Sequence, residues 1–342
     1  MVTRRKFIYE GSLGMMGSYF LPSFLIEDAE GMIMTVSGLI NPADLKFTLT
    51  HEHVMVDFIG AGKVSKDRYD AGEVVKTALP FLQEIKKMGC NTFVDCTPAY
   101  LGRDAKVLKK LSDSTGLNII TNTGFYAAVN EKYLPDFVYN ETTQQIAERW
   151  INEWKNGIEG TGIKPGFIKT SVDSAPLSST QVKIITAAAI THLQTGLTIA
   201  VHTGNGEAAR QQLDILQKNG VAASARIWVH AQSESNTNYH IEAAKKGSWI
   251  SFDGVNEKSR DTHINFLQVM KKQGLLEKVL ASQDSGWYHV GEVNGGNFNS
   301  YSYIITGFIP ALKKTGFTQA EIDQLFITNP AKALAIRIRK FK

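Results

Sequence analysis

The sequence predicts an α/β protein: a (β/α)8 TIM barrel with its functional site at the C-terminal ends of the strands. Three observations predict it. Eight short apolar, β-branched runs recur along the 342 residues. Helix-like segments separate them, with glycine repeatedly placed between helix and strand. Six residues of metal-ligand type, His51, His53, Lys169, His202, His230 and Asp284, fall at or just past the ends of those runs and take four of the chain's eight histidines.

In chain order, the first run, Phe47–Thr50, leads into His51-Glu52-His53. Thr92–Cys96 and Asn118–Thr121 are the second and third. Gly166–Ile168 leads into Lys169, Thr198–Val201 into His202, and Ile227–Val229 into His230. Trp249–Phe252 is the seventh, and Val279–Ser282 runs toward Asp284. Short apolar runs bounded by turns suit strands buried on both faces. Between them, Thr143–Gly157 sets Ile146, Trp150, Ile151 and Trp154 among charged neighbours, and Ala208–Lys218 gathers Ala209, Leu213 and Leu216 near one face; both read as amphipathic helices. Gly89, Gly116, Gly196, Gly220, Gly247 and Gly274 stand where each helix should end. Such units predict a parallel sheet with right-handed crossovers. A doubly wound open sheet fits the same alternation, but ligands spread from the first run to the last favour closure, because a barrel brings those ends together.

The hydrophobic content of 43% supports one large core, and a barrel of roughly 250 residues plus loops is typical. Net charge is +4, with no basic run beyond the N-terminus, so nucleic-acid binding is not indicated. Cys90 and Cys96 bracket the second strand, and extended chain would separate them by roughly 20 Å. A disulfide needs Cα atoms within about 7 Å, so both read as free, packed thiols. Residues 1–31 form a separate object. Arg4-Arg5 precede a weakly apolar, glycine-containing stretch, the pattern of a twin-arginine export signal. Glu10 and Pro22 interrupt that stretch and argue against a stable membrane span. The expected organisation is therefore a leader, 1–31, cleaved or kept as an anchor, and a barrel, 32–342, delivered to the periplasm by the twin-arginine machinery.

His-x-His points two imidazoles to one side of a strand, so one strand can offer both to a single ion. Imidazole with carboxylate suits Zn2+, with Mn2+, Co2+ or Fe2+ as alternatives. Five such ligands exceed the three that an open catalytic zinc takes, which suggests two ions about 3.5–4 Å apart. As an ammonium, Lys169 would repel them; as a carbamate it would be a carboxylate-like bridge.

The segments Ile33–Gly38, Thr50–His53, Asn122–Tyr126, Gly166–Lys169, Val201–Thr203, Val229-His230 and Gln283-Asp284 resemble, in order and spacing, the phosphotriesterase family of the amidohydrolase superfamily. The resemblance runs from about Met32 to the C-terminus. It implies a binuclear, usually zinc, centre. His51, His53 and Asp284 would hold the buried ion, and His202 and His230 the exposed one. Carboxylated Lys169 and a hydroxide would bridge them, with Asp284 taking the proton as hydroxide attacks. The family holds phosphotriesterases and lactonases, so the resemblance implies a small-molecule ester or lactone substrate; related barrels often pair, which admits a homodimer. Tyr126 matches the active-site tyrosine of lactonase-like members. Gly254 stands where those members carry an arginine, a departure that Lys258 or Arg260 from the same loop would have to offset. Trp287 heads a glycine-, asparagine- and aromatic-rich stretch that reads as a mobile loop with stacking faces for substrate. His192, His240, His263 and His289 read as loop or surface residues. The expected activity is hydrolysis of a lactone or related carboxylic ester. The alternatives are aryl or alkyl phosphotriester hydrolysis, a single-metal deacetylase or amidase, and an exported metal-dependent binding protein without turnover.

Overall fold

The computed structural model describes residues 29–342; the expected leader lies outside the described residues except for its last three positions. A hairpin of β1 (Ile33–Thr35) and β2 (Gly38–Ile40) comes first. There follow β3 (Thr48–Val56), α1 (Ala71–Lys87), β4 (Thr92–Asp95), α2 (Ala105–Thr115), β5 (Asn118–Ile120), β6 (Asn122–Thr123), α3 (Phe137–Asn140), α4 (Thr143–Asn156), β7 (Phe167–Val172) and α5 (Ser179–Thr195). Then come β8 (Thr198–Thr203), α6 (Gly206–Lys218), β9 (Arg226–Val229), α7 (Thr237–Lys245), β10 (Trp249–Phe252), α8 (Arg260–Lys272), β11 (Val279–Ala281) and β12 (Gly286–His289). Short helices α9 (Ile309–Lys314), α10 (Gln319–Asp323) and α11 (Asn329–Leu334) complete the chain. This is an α/β fold of alternating strands and helices. Among the described residues no helix is long and apolar enough to cross a membrane.

The strands pair in parallel in two ladders, β12-β3-β4-β5 and β6-β7-β8-β9-β10-β11. Only Thr121 separates β5 from β6, so one stretch of chain belongs to both. At the other end, the Asp284 N–H donates to the His51 carbonyl (3.0 Å) and the His53 N–H to the Ser285 carbonyl (2.9 Å). The segment after β11 is thereby stitched to β3.

Seven helices, α1, α2, α4, α5, α6, α7 and α10, begin where a side chain accepts from a free N–H group. Thr142 with Gln145, and Ser178 with Gln181, form reciprocal capping boxes on α4 and α5, each such cap being worth about 1 kcal/mol. The six glycines expected after helices all have positive φ.

Alternate strand residues enter different cores. Val94, Ile120, Phe167, Ala200, Ile227, Trp249 and Leu280 pack together between strands. Their neighbours Phe93, Ile119, Trp228, Ile250 and Val279 pack against one set of helices, and Ile168 and Ile199 against another. Strands apolar on both faces therefore serve two layers at once. Ile33, Leu45 and Leu334 close the inner core from one end, which leaves the other end for polar side chains.

Candidate metal centre

The inner-face periodicity carries directly into the site. Phe167 and Ala200 belong to the inner core, and residues two further along a strand share its face. Lys169 and His202 hold those positions. They lie within β7 and β8 rather than past them, because both strands run several residues beyond their apolar runs. His51 and His53 needed a device. Leu49 packs toward the helices, and an unbroken strand would send His51 and His53 the same way. The pairing of β3 with β4 shifts register between Leu49 and Glu52, which turns both imidazoles inward. His230 and Asp284 are re-aimed by left-handed backbone, with φ of 60° and 55°, a conformation costing roughly 1–2 kcal/mol for a non-glycine residue. Gly124 is required here: its φ is 120°, and a Cβ on it would overlap the Lys169 carbonyl oxygen.

All six expected ligands line one cavity of about 170 Å³, with Tyr126 and Trp287 among its walls. Two His/Asp clusters able to hold a cation share His51: His51–His53–Asp284 and His51–His230–Asp253. In the first, Asp284 Oδ1 lies 3.1 Å from His53 Nε2 and 3.6 Å from His51 Nε2. That oxygen is buried and accepts no hydrogen bond. Groups with lone pairs thus converge without pairing, as a cation requires. His202 joins through its ring, 4.4 Å between centroids from His230.

Burial, then the nearby Lys169 charge, pushes His51 down to about 4. Burial, then His230, pushes His202 well below the imidazole range. Both rings are therefore neutral and able to ligate at neutral pH. Burial opposes ionisation of Asp284, yet His51 and His53 hold its carboxyl below the usual range.

Asp253 is the residue that sequence reasoning passed over. It is fully buried. Its Oδ2 accepts from His51 Nδ1 (3.1 Å), the His230 N–H (3.2 Å) and Ser251 Oγ (2.9 Å). Its Oδ1 accepts from His230 Nδ1 and from Gln232 Nε2 (3.1 Å). Burial alone would raise its pKa, but His230 and His51 beside it hold it well below the usual range. Being ionised, it requires the proton of both rings on Nδ1 and turns their Nε2 atoms toward the cavity, an orienting role typical behind metal-binding histidines. Thr97 Oγ1 does the same for His53 Nδ1 at 2.7 Å. The one available signal was an acidic residue directly after the seventh strand.

Several expectations are corrected. His192, His240 and His263 are buried on α5, α7 and α8, not at the surface. His192 pairs both ring nitrogens with backbone, the Leu197 carbonyl and the Arg339 N–H; His240 pairs only Nε2, with the Ala231 carbonyl; His263 lies against the Ser259 and Asp253 carbonyls. The stretch after Asp284 is not a free loop at its start: Gly286–His289 forms β12, paired in parallel with β3. Trp287 is pinned there by its indole N–H on the Asp284 carbonyl at 2.7 Å. Arg260 is exposed and paired with Asp261, and neither it nor Lys258 lines the cavity. Gln232, 3.2 Å from where a Cβ on Gly254 would lie, occupies that neighbourhood instead. Cys90 and Cys96 are free and buried, as expected.

A profile of the phosphotriesterase family matches residues 31–334. The chain is 28% identical to the phosphotriesterase homology protein of Escherichia coli (strain K12), covering 84% of this chain and 97% of that one. The crystal structure of the E. coli protein, complexed with phosphate in the active site, superposes with a TM-score of 0.72 over 85% of this chain and 99% of that one, at 27% identity. The aryldialkylphosphatase of Saccharolobus solfataricus is 28% identical, over 86% of this chain and 96% of its own. The N-acetyltaurine hydrolase of Xenopus tropicalis is 26% identical, over 90% and 99%. With a family match across almost the whole described chain and a His/Asp cavity of binuclear type, this chain belongs to the phosphotriesterase family of the amidohydrolase superfamily.

Proposed function

We propose that the protein is a metal-dependent hydrolase that cleaves a lactone or related carboxylic ester within a closed (β/α)8 barrel. Closure is supported by the backbone bonds from Asp284 and His53 across to the facing strand. The buried Glu52 carboxyl adds to them, accepting from Ser282 Oγ, the Gln283 N–H and the Ser285 N–H at 2.8–3.0 Å. The observation that carries the functional reading is the convergence of four imidazoles, Asp284 and Lys169 on one small cavity with otherwise aromatic and aliphatic walls.

His51, His53 and Asp284 are the residues to hold one divalent cation, and His202 and His230 a second, with Zn2+ the best match to imidazole and carboxylate. Two such ions, when bound, would supply an acidified water and polarise the substrate oxygen. Lys169 is buried, and among the described residues its ammonium nitrogen has no hydrogen-bond or ion-pair partner. As an ammonium lining this cavity it would repel bound cations, which supports its carboxylation. Asp284, ionised and with Oδ1 free of hydrogen bonds, is placed to take the proton of the attacking water. Burial, then Asp284, raises the Tyr126 phenol, so it stays protonated; its hydroxyl lies 3.0 Å from His202 Nδ1 and faces the substrate space. Phe58 and Trp287, both lining the cavity, stack at 5.7 Å between centroids.

Apart from Lys169 and the histidines, the cavity wall carries no cationic side chain. A neutral substrate fits that wall better than one with a remote anionic group, such as the sulfonate of N-acetyltaurine, for which the wall away from the ions offers no cation. Phosphotriester cleavage is the second reading, favoured by the name of the S. solfataricus relative and by the phosphate in the E. coli structure. The test is hydrolysis of sugar lactones, aliphatic lactones, aryl esters and an aryl phosphotriester by metal-reconstituted protein. The first reading expects kcat/KM for one lactone or ester class to exceed the phosphotriester at least tenfold; the reverse order favours the second. Full metal occupancy without turnover on any of them would leave a binding protein.

Residues 1–31 are assigned as a twin-arginine export leader and 32–342 as the catalytic barrel, with the periplasm as the site of action. The Arg4-Arg5 pair and the weakly apolar stretch after it support this. Fusion of 1–31 to a reporter that must fold before export tests it: export should fail when both arginines become lysine.

A further inference from the structure

At the ends of the strands opposite the metal centre lies a second cavity, of about 700 Å³. Ser224, Trp249 and Lys278 line it at or just before the starts of β9, β10 and β11. Nothing in the hydrolytic reading uses it.

The C-terminal tail supplies two of its charges. Ile336-Arg337-Ile338-Arg339 alternates apolar and basic residues, and alternate residues of an extended chain share a face. Arg337 and Arg339 line the cavity, while Ile336 is buried. Backbone bonds fix the tail: the Ile336 N–H donates to the Met32 carbonyl (2.9 Å), the Arg337 N–H to the Gly196 carbonyl (3.0 Å), and the Ala222 N–H to the Arg339 carbonyl (2.9 Å). Lys278 and Lys332 add two ammonium groups, with Lys278 Nζ 5.1 Å over the Trp249 ring. Among the described residues the lining thus carries four cations and one carboxylate, Glu277, a net +3 in a chain whose total is +4.

These charges are not matched. Among the described residues Lys278, Lys332 and Arg339 form no ion pair, and Arg337 reaches only Glu30, at 4.0 Å. The cations on the other large cavity, Lys66, Arg103 and Arg149, each meet a glutamate instead. Arg339 is half-buried, and its terminal nitrogens donate to Thr198 Oγ1 and to the carbonyls of Lys332, Ala335 and Arg337 at 3.0–3.3 Å. Those bonds hold the guanidinium in place without neutralising it. Burial, then Arg337, pulls its pKa down to about 10. Like charges fixed side by side repel, and an anion between them reverses the sign of that interaction.

We propose that this cavity is a binding site for a dianionic ligand of phosphate-monoester type, a phosphate head on a neutral organic body. The net +3 selects a dianion over a monoanion. Arg337 is exposed and presents a planar fork that suits two phosphate oxygens, and the two ammonium groups act as point charges. Trp249, Ile327 and Ala331 on the same lining offer apolar surface to the body. Free esters and lipid headgroups share this chemistry. The site lies apart from the metal centre and does not rest on the hydrolytic reading.

The test is calorimetry on the metal-loaded full chain with phenylphosphonate, benzenesulfonate and benzamide, a dianion, a monoanion and a neutral form of one ring. Phenylphosphonate should bind at least tenfold more tightly than benzenesulfonate, less tightly as salt is added, and benzamide should not bind. Lys332→Ala combined with Arg337→Ala, both at exposed positions, should weaken phenylphosphonate at least tenfold with unchanged zinc content. Ala43→Glu, at an exposed position on the lining, should do the same by placing a carboxylate there. Lys313→Ala combined with Lys314→Ala, two exposed cations off the lining, should change nothing. Cosedimentation with phosphatidylcholine vesicles, with and without phosphatidic acid, separates the sources. Sedimentation that needs phosphatidic acid and is lost in the Lys332/Arg337 variant marks a lipid head; phenylphosphonate binding without sedimentation marks a free ester. Equal binding of the three probes, identical isotherms for wild type and the Lys332/Arg337 variant, or an equal loss in the Lys313/Lys314 variant would each overturn the assignment.

Discussion

Replacing Asp253 by asparagine should loosen the metal centre without removing a proposed ligand. The five donors on its two oxygens divide into two on Oδ1 and three on Oδ2. Whichever oxygen becomes the amide nitrogen, at least two donors then face a donor. The cheaper orientation places the nitrogen against His230 Nδ1 and Gln232. Each lost hydrogen bond to a charged acceptor is worth about 1.5–3 kcal/mol, so the organised site loses roughly 3–6 kcal/mol. His230 can recover a bond only by moving its proton to Nε2, which removes the lone pair the cation needs. Metal affinity should fall about 10- to 100-fold. The assay is metal content by mass spectrometry after dialysis against buffered free Zn2+, alongside thermal unfolding with and without metal. Zn2+ affinity within threefold of wild type at unchanged stoichiometry would refute the orienting role.

Other expectations follow from the same geometry. His230→Ala should lower metal occupancy and cut activity by orders of magnitude while circular dichroism shows the fold intact; full metal and full activity would remove it from the site. Lys169→Ala should lose activity and regain part of it with added short carboxylic acids, as the initial rate against acid concentration will show; unimpaired activity without the acid would exclude a bridging carbamate. Gly124→Ala should destabilise by about 3 kcal/mol or more, measured by denaturant unfolding, because the new methyl overlaps the Lys169 carbonyl oxygen. Burial lowers His192 and His240 from 6.5 to about 4. The unfolded state then takes up protons first as pH falls, so their contribution is complete above 6.5 and lost between 6.5 and 4. The loss is up to about 3 kcal/mol per histidine, and His192→Gln should flatten that part of the stability–pH curve.

The strand runs were legible because each is apolar on both faces, and nine of the inner-core residues lie inside the predicted runs. Lys169 and His202 were legible as candidates, but not as residues within β7 and β8, because apolarity stops where the inner face turns polar. The register shift that turns His51 and His53 inward leaves no compositional mark. Asp253 was hidden for a related reason: a carboxylate after a strand looks solvated until two imidazoles from other strands are seen to pack on it. The buried histidines are not legible in the sequence, because an imidazole that contacts backbone groups inside the fold has the same signature as an exposed one. The glycines after Asp284 suggest a mobile loop, yet Gly286–His289 pairs with β3, a contact set by the third dimension.

The most direct test is diffraction from zinc-reconstituted crystals, recorded on both sides of the zinc absorption edge. The binuclear reading predicts two anomalous peaks about 3.5–4 Å apart, one beside His51, His53 and Asp284 and one beside His202 and His230, with density for a carboxylate extending from Lys169 Nζ between them. A single peak with an unmodified lysine, or no peak in this cavity under saturating zinc, would contradict it.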